Sequence, residues 1–513
     1  MKRREALKSM LALGALSLGS CSGMHFRVDP DGNITEVELP EEFTEVDHFQ
    51  VTHALRDGHR FSIPAPSLRK DVVIVGGGIS GLTVLKTLAD YDALLLEKEH
   101  EVGGNSRRRR ANGIYYPLGA LLSQGPIAPF TEFFNALAIP FEPLRGKPMS
   151  YHIQGRAIPD PLEDGWRQLP LPPEARASFS RLGDDLAALA KPDDGIFFPR
   201  TDNKPAIKAL DRLTFKQYLA QKNYAPEAEN FMRLMLSSRL GEQGDAVSAW
   251  VALYILSTLK QPAFTLPGGH GVIAEQLREQ GLRRKADAIL TGFTMINMEN
   301  QANGTVWITG VDADGALQTI EASCAVLAAP KVYAKHAVRD LAKDRPGLYD
   351  RFHYNAYLVA QVELATPVAD SFETVSASHF SRFIVAADWL NSNRSADGSS
   401  HLTVYVPYPG VPGRMALYGE SAARLAKTIV NDLYDIMPKS RGAIRSIYLH
   451  RWGHPMVSCA PGMEQLCEAA KQPFGRIAFA HSDSFGISGL YSAVWSGMEA
   501  GADARILLEE QGV

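Results

Sequence analysis

The stretch that decides the fold is DVVIVGGGISGLTVLKTLADYDALLLEKEHEVGGNSR, residues 71–107. An apolar run at 72–75 leads into three glycines with the spacing GxGxxG, and a leucine-rich helix pattern follows. A second apolar run, at 93–96, ends in Glu97. Strand, glycine turn, helix and strand in this order predict a compact β-α-β unit.

Each glycine of this unit has a separate physical task. Gly76 permits the tight turn after the strand, Gly78 lets the backbone approach a pyrophosphate, and Gly81 lets the helix pack closely on the strand. Ile79 and Ser80 open the helix, whose free N–H groups and positive dipole end favour phosphate groups. The pattern therefore predicts a dinucleotide site.

Glu97 follows Gly76 by 21 residues, the distance at which such a unit carries its acidic ribose ligand. A carboxylate there accepts hydrogen bonds from both ribose hydroxyls and repels a 2′-phosphate, which disfavours NADP. Glu97 and the adjacent Lys98 are predicted to bind the adenosine half of the cofactor.

A second glycine pair, Gly103 and Gly104, lies beyond the acid and is followed by Asn105 and Ser106. With the first motif, this pattern resembles the flavin amine oxidase superfamily, which includes monoamine and polyamine oxidases, protoporphyrinogen oxidase and phytoene desaturases. The resemblance implies FAD rather than NAD, with all four residues at the cofactor. Asn105 stands where the family usually has Arg, and the basic run 107–110 is interpreted mainly as a solvated surface.

Two later segments extend the resemblance. Residues 267–277 resemble the family's glycine-rich return to the FAD domain, and the strand predicted at 293–298, which includes Met295, corresponds to backbone that meets the adenine. A predicted hairpin (305–310 and 317–321) and a closing strand at 325–329 follow.

The last segment, residues 476–500, resembles the family's closing motif fAGD…GyveGAxxSGxxAA, with departures at His481 and Ser482. The resemblance implies that Asp483 binds a ribityl hydroxyl of FAD. It also implies that a helix beginning near Ser488, Gly489 and Leu490 points its N-terminus at the flavin, where its dipole stabilises the reduced state.

The predicted fold class is α/β, a Rossmann-like FAD-binding domain interleaved with a substrate domain of a sheet plus helices. The sequence assigns residues 71–124, 266–340 and 474–510 to the FAD-binding domain. Residues 125–265 and 341–468 are assigned to the substrate or cap domain, and residues 22–68 to a spacer with an N-terminal arm.

Composition narrows the functional class. The chain has 513 residues with 45% hydrophobic content, enough for two lobes, and its net charge of −4 offers no electrostatic basis for binding nucleic acid. Four cysteines are too few for a disulfide framework, although Cys459 and Cys467 are able to pair on sequence grounds alone. No Cys/His cluster indicates a metal.

The N-terminus reads as an export signal at residues 1–21. Arg3 and Arg4, with Leu7 and Lys8, resemble a bacterial twin-arginine signal, and Cys21 ends a lipobox-like LGSC sequence. The sequence thus predicts a periplasmic protein or one held at the membrane by a lipid on Cys21, with the twin-arginine export machinery as a partner. An ordinary secretory signal cleaved near residues 20–23 is the alternative.

Three residues are candidates for catalysis. Tyr491 lies in the first turn of the closing helix, and Trp452 and His454 lie about twenty to thirty residues before the closing motif. Each also has a structural alternative: packing for Tyr491, and a backbone role beside Gly and Pro for His454. No lysine matches the family's catalytic lysine.

The favoured function is oxidation of a C–N bond of a small amine by hydride transfer to flavin N5, with an unidentified electron acceptor. Two alternatives stay open: a desaturase- or isomerase-type flavoenzyme acting on an apolar C–C substrate, and a flavin-binding protein without turnover.

Overall fold

The structure is a computed structural model. It describes residues 24–39, 49–121, 125, 127, 129–144, 149–190, 205–391, 395 and 397–513. The export segment predicted at 1–21, including Cys21, lies outside the described residues.

The helices are α1 Gln50–Arg56, α2 Ile79–Thr87, α3 Thr131–Ala136, α4 Pro173–Leu189, α5 Pro205–Asp211, α6 Phe215–Leu219, α7 Pro226–Leu240, α8 Ala249–Ser257, α9 Gly271–Arg284, α10 Lys331–Ala337, α11 Leu341–Asp344, α12 Gly410–Gly419, α13 Ala422–Ile436, α14 Met463–Ala470 and α15 Leu490–Glu509. The strands are β1 Met24–Val28, β2 Ile34–Val37, β3 Leu68–Val75, β4 Ala93–Leu96, β5 Arg108–Ala111, β6 Ile114–Pro117, β7 Glu142–Pro143, β8 Met149–Ile153, β9 Arg156–Pro159, β10 Phe264–Thr265, β11 Ile289–Leu290, β12 Thr294–Asn300, β13 Val306–Val311, β14 Leu317–Leu327, β15 Tyr354–Leu364, β16 Glu373–Ser376, β17 Phe383–Ala386, β18 Ser400–Tyr408, β19 Ile444–Val457 and β20 Ile477–Phe479.

The first sheet carries the glycine motif. Its order is β11-β4-β3-β14-β13-β12, and β20 pairs with β14. β3 runs parallel to β4 and β14, and β14 runs parallel to β20, so these four strands end at one edge. Both faces of β3 are covered, which explains its unbroken apolar run. The second strand of the predicted hairpin and the closing strand form one continuous strand, β14, and the first hairpin strand is β13.

Helices α2 and α15 pack closely against each other beside this sheet, through small residues. A Cβ on Gly497 of α15 would lie 2.5 Å from the carbonyl oxygen of Ser80 in α2, and a Cβ on Gly501 would lie 2.7 Å from Thr87. Only glycine permits this approach. The contact fixes the direction of α15 relative to the glycine turn.

The second sheet has nine strands in the order β2-β1-β19-β15-β18-β17-β16-β8-β9. α13 packs its apolar side, with Leu425, Ile429 and Leu433, on one face of this sheet. The opposite face turns toward the FAD-binding domain: Gln361 donates to the carbonyl of Pro117 at 2.6 Å. The sheet therefore forms one wall at the junction of the two lobes.

The interpretation of residues 22–68 as a spacer with an arm was wrong for part of the segment. β1 pairs with β19 and β2 pairs with β1, so both belong to the nine-stranded sheet. The side chain of Phe26 is buried, with 1% exposed. Alternation of apolar and polar residues in only five positions was too short a signal to predict this strand.

The chain passes between the lobes several times, and the α/β class with a Rossmann-like domain interleaved with a sheet-plus-helix domain is confirmed. Helices α4, α7 and α8 lie within the predicted helical region 125–265. Cys459 and Cys467 are separate buried thiols rather than a disulfide. Over the ranges given above, no helix combines the length and apolar character needed to cross a membrane.

Candidate cofactor-binding and active site

The turn after β3 requires glycine at two positions. Gly76 has a φ of +112°, and a Cβ there would lie 2.5 Å from the carbonyl oxygen of Ala328. A Cβ on Gly81 would lie 1.9 Å from the carbonyl oxygen of Gly76. Gly78 caps α2, directly before Ile79 and Ser80, and a Cβ there would meet no heavy atom within 4 Å. The turn thus presents open backbone at the start of a helix.

Glu97 ends β4 beside this turn and is buried, with 8% exposed. Its carboxylate accepts hydrogen bonds from the backbone N–H of Gly77 at 2.6 Å and of Glu99 at 2.9 Å. Burial raises the pKa of Glu97, although these two hydrogen bonds oppose the shift. Each carboxylate oxygen keeps a lone pair for a further donor.

Lys98 and Met295 were also predicted to lie at the cofactor, and both make contacts within the protein. Lys98 forms an ion pair with Glu99. The backbone N–H of Phe293 donates to the carbonyl of Glu97 at 2.9 Å, which places the start of β12 beside it. The carbonyl of Met295, however, accepts from the hydroxyl of Tyr333.

The second glycine pair packs against the first glycine motif. The N–H of Gly103 donates to the carbonyl of Gly77 at 2.7 Å, and a Cβ on Gly104 would lie 3.3 Å from the Cα of Gly78. Ser106 donates its N–H to Gly103, and the Asn105 amide donates to the carbonyl of Pro455 at 2.8 Å. Asn105 thereby connects the cofactor loop to β19 of the other lobe.

The basic run 107–110 is solvated only at Arg110, which is exposed, whereas residues 107–109 are partly buried. The Arg108 side chain is 9% exposed, with its Nε 2.8 Å from Glu275, and Arg109 pairs with Glu101. The guanidinium of Arg107 lies 5.1 Å from the ring centroid of Trp452. These arginines therefore hold the second glycine loop against neighbouring elements. The contacts with Glu275 and Trp452 are between residues distant in the chain, so the sequence did not predict them.

Ser488, Gly489 and Leu490 begin the closing helix as predicted from the resemblance. Leu490 is the first residue of α15, Gly489 is its N-cap, and the Ser488 hydroxyl accepts from the N–H of Val457 at 2.9 Å. A Cβ on Gly489 would meet no heavy atom within 4 Å. α15 therefore begins with a second helix N-terminus whose backbone is open at Gly489.

Together these features fit FAD. Two interlocked glycine loops, the N-terminus of α2 and a buried carboxylate at the end of β4 match the pyrophosphate and the adenosine ribose of a dinucleotide. The N-terminus of α15 offers N–H groups to the other half. When bound, the cofactor supplies the hydride acceptor, and the chain supplies position and electric field.

The role predicted for Asp483 was wrong. Its side chain is fully buried, and its carboxylate is occupied by the Lys331 ammonium at 3.0 Å, the Lys331 backbone N–H at 2.8 Å and the Tyr354 hydroxyl. The glycine of the closing motif suits a position of positive φ. In this chain that position is His481, whose φ is +104°. The motif therefore lies one residue earlier than predicted, with Ser482 at the aspartate position.

Tyr491 packs in the core, which favours the structural alternative. Its ring is 7% exposed, its centroid lies 4.9 Å from that of Phe130, and its hydroxyl donates to the carbonyl of Gly125. Its position in the first turn of α15 pointed to the flavin, but the side chain turns toward α3. We therefore withdraw the catalytic prediction for Tyr491.

Trp452 and His454 lie on β19, at the junction of the lobes. The Trp452 indole N–H donates to the carbonyl of Leu118 at 2.9 Å. His454 is exposed, and its ring centroid lies 6.1 Å from that of Tyr354. Trp452 thus borders the chain that follows the second glycine pair, whereas His454 remains a candidate without a demonstrated role.

Two aromatic residues, Tyr357 and Tyr405, lie on the same face of the nine-stranded sheet as Trp452 and were not predicted from the sequence. These three residues form an aromatic wall. Tyr357 lies opposite Trp452 in the register of β15 and β19, and Tyr405 lies opposite Val359 on β18. The Tyr405 hydroxyl donates to Gly119 at 2.8 Å, and the Tyr357 hydroxyl donates to Ser237 at 3.1 Å. Strand pairing places Tyr357 opposite Trp452, and it places Tyr405 on the same face of the sheet, one strand beyond Tyr357.

The family model described as flavin-containing amine oxidoreductase matches residues 79–504. The chain belongs to this family. Its similarity to Oxidoreductase PigB of Serratia sp. (strain ATCC 39006) is 24% identity, covering 86% of this chain and 77% of that protein. Putrescine oxidase bound to putrescine shares the fold with a TM-score of 0.65, at 20% identity over 86% of this chain and all of that chain. Cyclohexylamine oxidase from Brevibacterium oxydans IH-35A gives a TM-score of 0.66 with the same identity and coverage.

Membership in this family makes the protein an FAD-dependent oxidoreductase. The prediction of FAD as cofactor is confirmed, and the alternative of a flavin-binding protein without turnover is set aside.

Proposed function

We propose that this flavoenzyme oxidises a C–N bond of an amine, transferring a hydride from the carbon next to nitrogen to flavin N5. The family description and the amine oxidases that share the fold support this class of substrate. An electron acceptor then has to reoxidise the flavin.

The observation that carries the proposal is the aromatic wall formed by Trp452, Tyr357 and Tyr405. These side chains lie on the sheet face that turns toward the FAD-binding domain, and their polar atoms bond backbone carbonyls of both lobes. Because those polar atoms are satisfied, the wall presents ring surface, with the Arg107 guanidinium on the Trp452 ring as its charged neighbour. An amine has to react in its neutral form, and removal from water against a mainly apolar wall favours neutral amine over ammonium.

Anaerobic mixing with a panel of primary, secondary and cyclic amines tests the proposal. We expect at least one amine to bleach the oxidised flavin band, and Trp452→Phe to lower the rate of bleaching about tenfold with unchanged flavin content. Trp307→Phe, on β13 of the other sheet, is the matched control and keeps the wild-type rate. Absence of bleaching with every amine contradicts the proposal.

One observation favours the second candidate, a desaturase-type enzyme acting on an apolar C–C bond. Gly489 stands where the resembled motif usually carries a larger residue, and a Cβ there meets nothing within 4 Å. Glycine in place of a larger side chain leaves more room beside the start of α15, which suits a bulkier substrate than a small amine. Bleaching by a cyclic apolar substrate, but by no amine, would establish this alternative.

We further propose that the protein is exported by the twin-arginine route and anchored through Cys21. The support is sequence: Arg3 and Arg4 in the signal pattern, and Cys21 in LGSC. A protein with a tightly bound cofactor suits a route that transports folded chains. Changing both arginines to lysine is expected to leave flavin-loaded protein in the cytoplasm, and Cys21→Ser to abolish labelling by a radioactive fatty acid.

A further inference from the structure

Helix α12 exposes an apolar side to solvent. Val411 is 54% exposed and Met415, one turn later, is 72% exposed. Pro412 and Ala416 are exposed beside them, and Arg414 is the only charged residue of this helix. Residues one turn apart lie on the same side of a helix, so Val411, Pro412, Met415 and Ala416 form one uncharged surface, the α12 stripe. Contiguous exposed apolar surface marks contact with another molecule.

The opposite side of α12 is fixed to the substrate sheet. Leu417 is fully buried in the core that this sheet forms with α13. Arg414 donates to the carbonyls of Gly453 at 3.1 Å and of Tyr354 at 3.3 Å. The helix cannot turn the α12 stripe inward without losing these contacts. The stripe is therefore held toward solvent.

The N-terminal strand points to the end of this helix. Met24 pairs with Leu449, and β1 runs antiparallel to β19. Followed backward from Met24, β1 points along β19 toward Arg451, which lies about 7 Å beyond Leu449 along that strand. Arg451 donates to the carbonyl of Glu420, the residue after α12, at 2.7 Å. The first described strand thus leads to the place where α12 ends.

The distance from this strand to Cys21 is short. Cys21 precedes Met24 by three residues, which span at most ~11 Å. A lipid on Cys21 therefore holds a membrane surface close to α12, whose 10 residues are about 15 Å long. Over residues 410–427 the chain has three basic residues and one acidic residue. This balance of charge suits an anionic lipid surface.

We propose that the α12 stripe lies on the phospholipid bilayer, with Val411 and Met415 inserted at the boundary between headgroups and acyl chains. The proposal rests on the lipid anchor proposed above at Cys21. A lipid attachment holds a protein near the bilayer, and an apolar contact beside it adds a second point that fixes its orientation. The face of the nine-stranded sheet that carries α12 and α13 then turns toward the membrane.

Methionine oxidation on vesicles tests this contact in the full-length, FAD-loaded protein. The Cys21 thiol of cytoplasmic protein is coupled to a maleimide lipid in vesicles of phosphatidylethanolamine and phosphatidylglycerol. The other three cysteines are buried. We expect hydroxyl radicals to oxidise Met415 about fivefold more slowly on vesicles than in solution, because lipid covers its side chain. Met498, 38% exposed on α15, is the internal control and keeps its rate.

A double variant separates lipid contact from tethering. Val411→Glu combined with Met415→Glu should lower the partition of the uncoupled protein onto the same vesicles about tenfold, because charged side chains resist insertion. Ile506→Glu, at a 57% exposed position of α15, is the matched control and should partition as the wild type does. Unchanged Tm and flavin content in all three proteins show that the variants are folded.

Three results would overturn the proposal. Met415 is oxidised equally on vesicles and in solution, or Met498 slows as much as Met415, which indicates scavenging by lipid. In the third, Met415 becomes protected in solution as protein concentration rises, which indicates that a second copy covers the stripe. Because the maleimide lipid replaces the natural anchor, these results do not depend on export. The anchor proposal fails separately, if cells attach no fatty acid to Cys21.

Discussion

At the scale of single residues, Lys331 and Asp483 form an ion pair that is almost completely shielded from solvent. Both side chains are buried, and Tyr354 from the other lobe joins them. Burial by itself raises the pKa of Asp483, but His481 and Lys331 outweigh it and hold that pKa well below its usual range. The carboxylate is therefore ionised, and it depends on its partners.

Removing one member of this pair leaves the other charge buried and uncompensated. Asp483→Asn is expected to lower the free energy of unfolding by about 3–5 kcal/mol. Lys331→Met combined with Asp483→Asn should cost clearly less than the sum of the two single changes. Urea denaturation measures all three, and Asp370→Asn, an exposed ion-pair partner of Lys439, is the control with a change below about 0.5 kcal/mol. A purely additive double variant would contradict this account.

The same carboxylate makes stability depend on acidity. Because its pKa is lower in the folded state than in the unfolded chain, its contribution is complete above the unfolded value, about 4, and is lost as the pH falls through the folded value. The free energy of unfolding should therefore decrease below pH ~4. The difference between wild type and Asp483→Asn should narrow over the same range. A constant difference from pH 7 to pH 3 would be inconsistent with the shift.

At the scale of elements, the N-terminal strand has to count as part of the substrate sheet. β1 covers the edge of β19, the strand that carries Trp452, and Phe26 inserts into the core formed with α13. Phe26→Ala should cost about 3–5 kcal/mol, whereas Arg27→Ala, on the exposed side of the same strand, should change little. Thermal unfolding checks both, and equal effects would mean that β1 is only loosely attached.

The elements also show what the sequence could predict. The glycine turn, α2, Glu97 and the second glycine pair were predictable because much of their chemistry is local: Gly81 packs against Gly76 and Gly104 packs against Gly78 within residues 71–107, although Gly76 also meets Ala328. The aromatic wall was not, since Tyr357 and Trp452 meet only through pairing of strands 95 residues apart in the chain. Asp483 and Tyr491 were misassigned because a shift of one residue, or a turn of one side chain, decides what they face.

At the scale of the whole molecule, hydrogen bonds join the FAD-binding domain to the substrate domain at several points. Asn105 bonds Pro455, Trp452 bonds Leu118, and Tyr354 of the substrate sheet bonds Asp483 of the FAD-binding domain. The chain crosses between the lobes repeatedly, so neither can unfold without disrupting contacts of the other.

Cofactor binding should consequently stabilise both lobes at once. FAD at 100 times its Kd adds about 2.7 kcal/mol to the free energy of unfolding, and this gain should move one calorimetric transition as a unit. Glu97→Gln should reduce the shift at the same FAD concentration, because its Kd is higher. Two separate transitions, only one of them responding to FAD, would show that the lobes unfold independently despite the Lys331–Asp483–Tyr354 cluster between them. A single transition that moves in proportion to the logarithm of FAD concentration would show that the two lobes unfold as one unit, as the contacts between them predict.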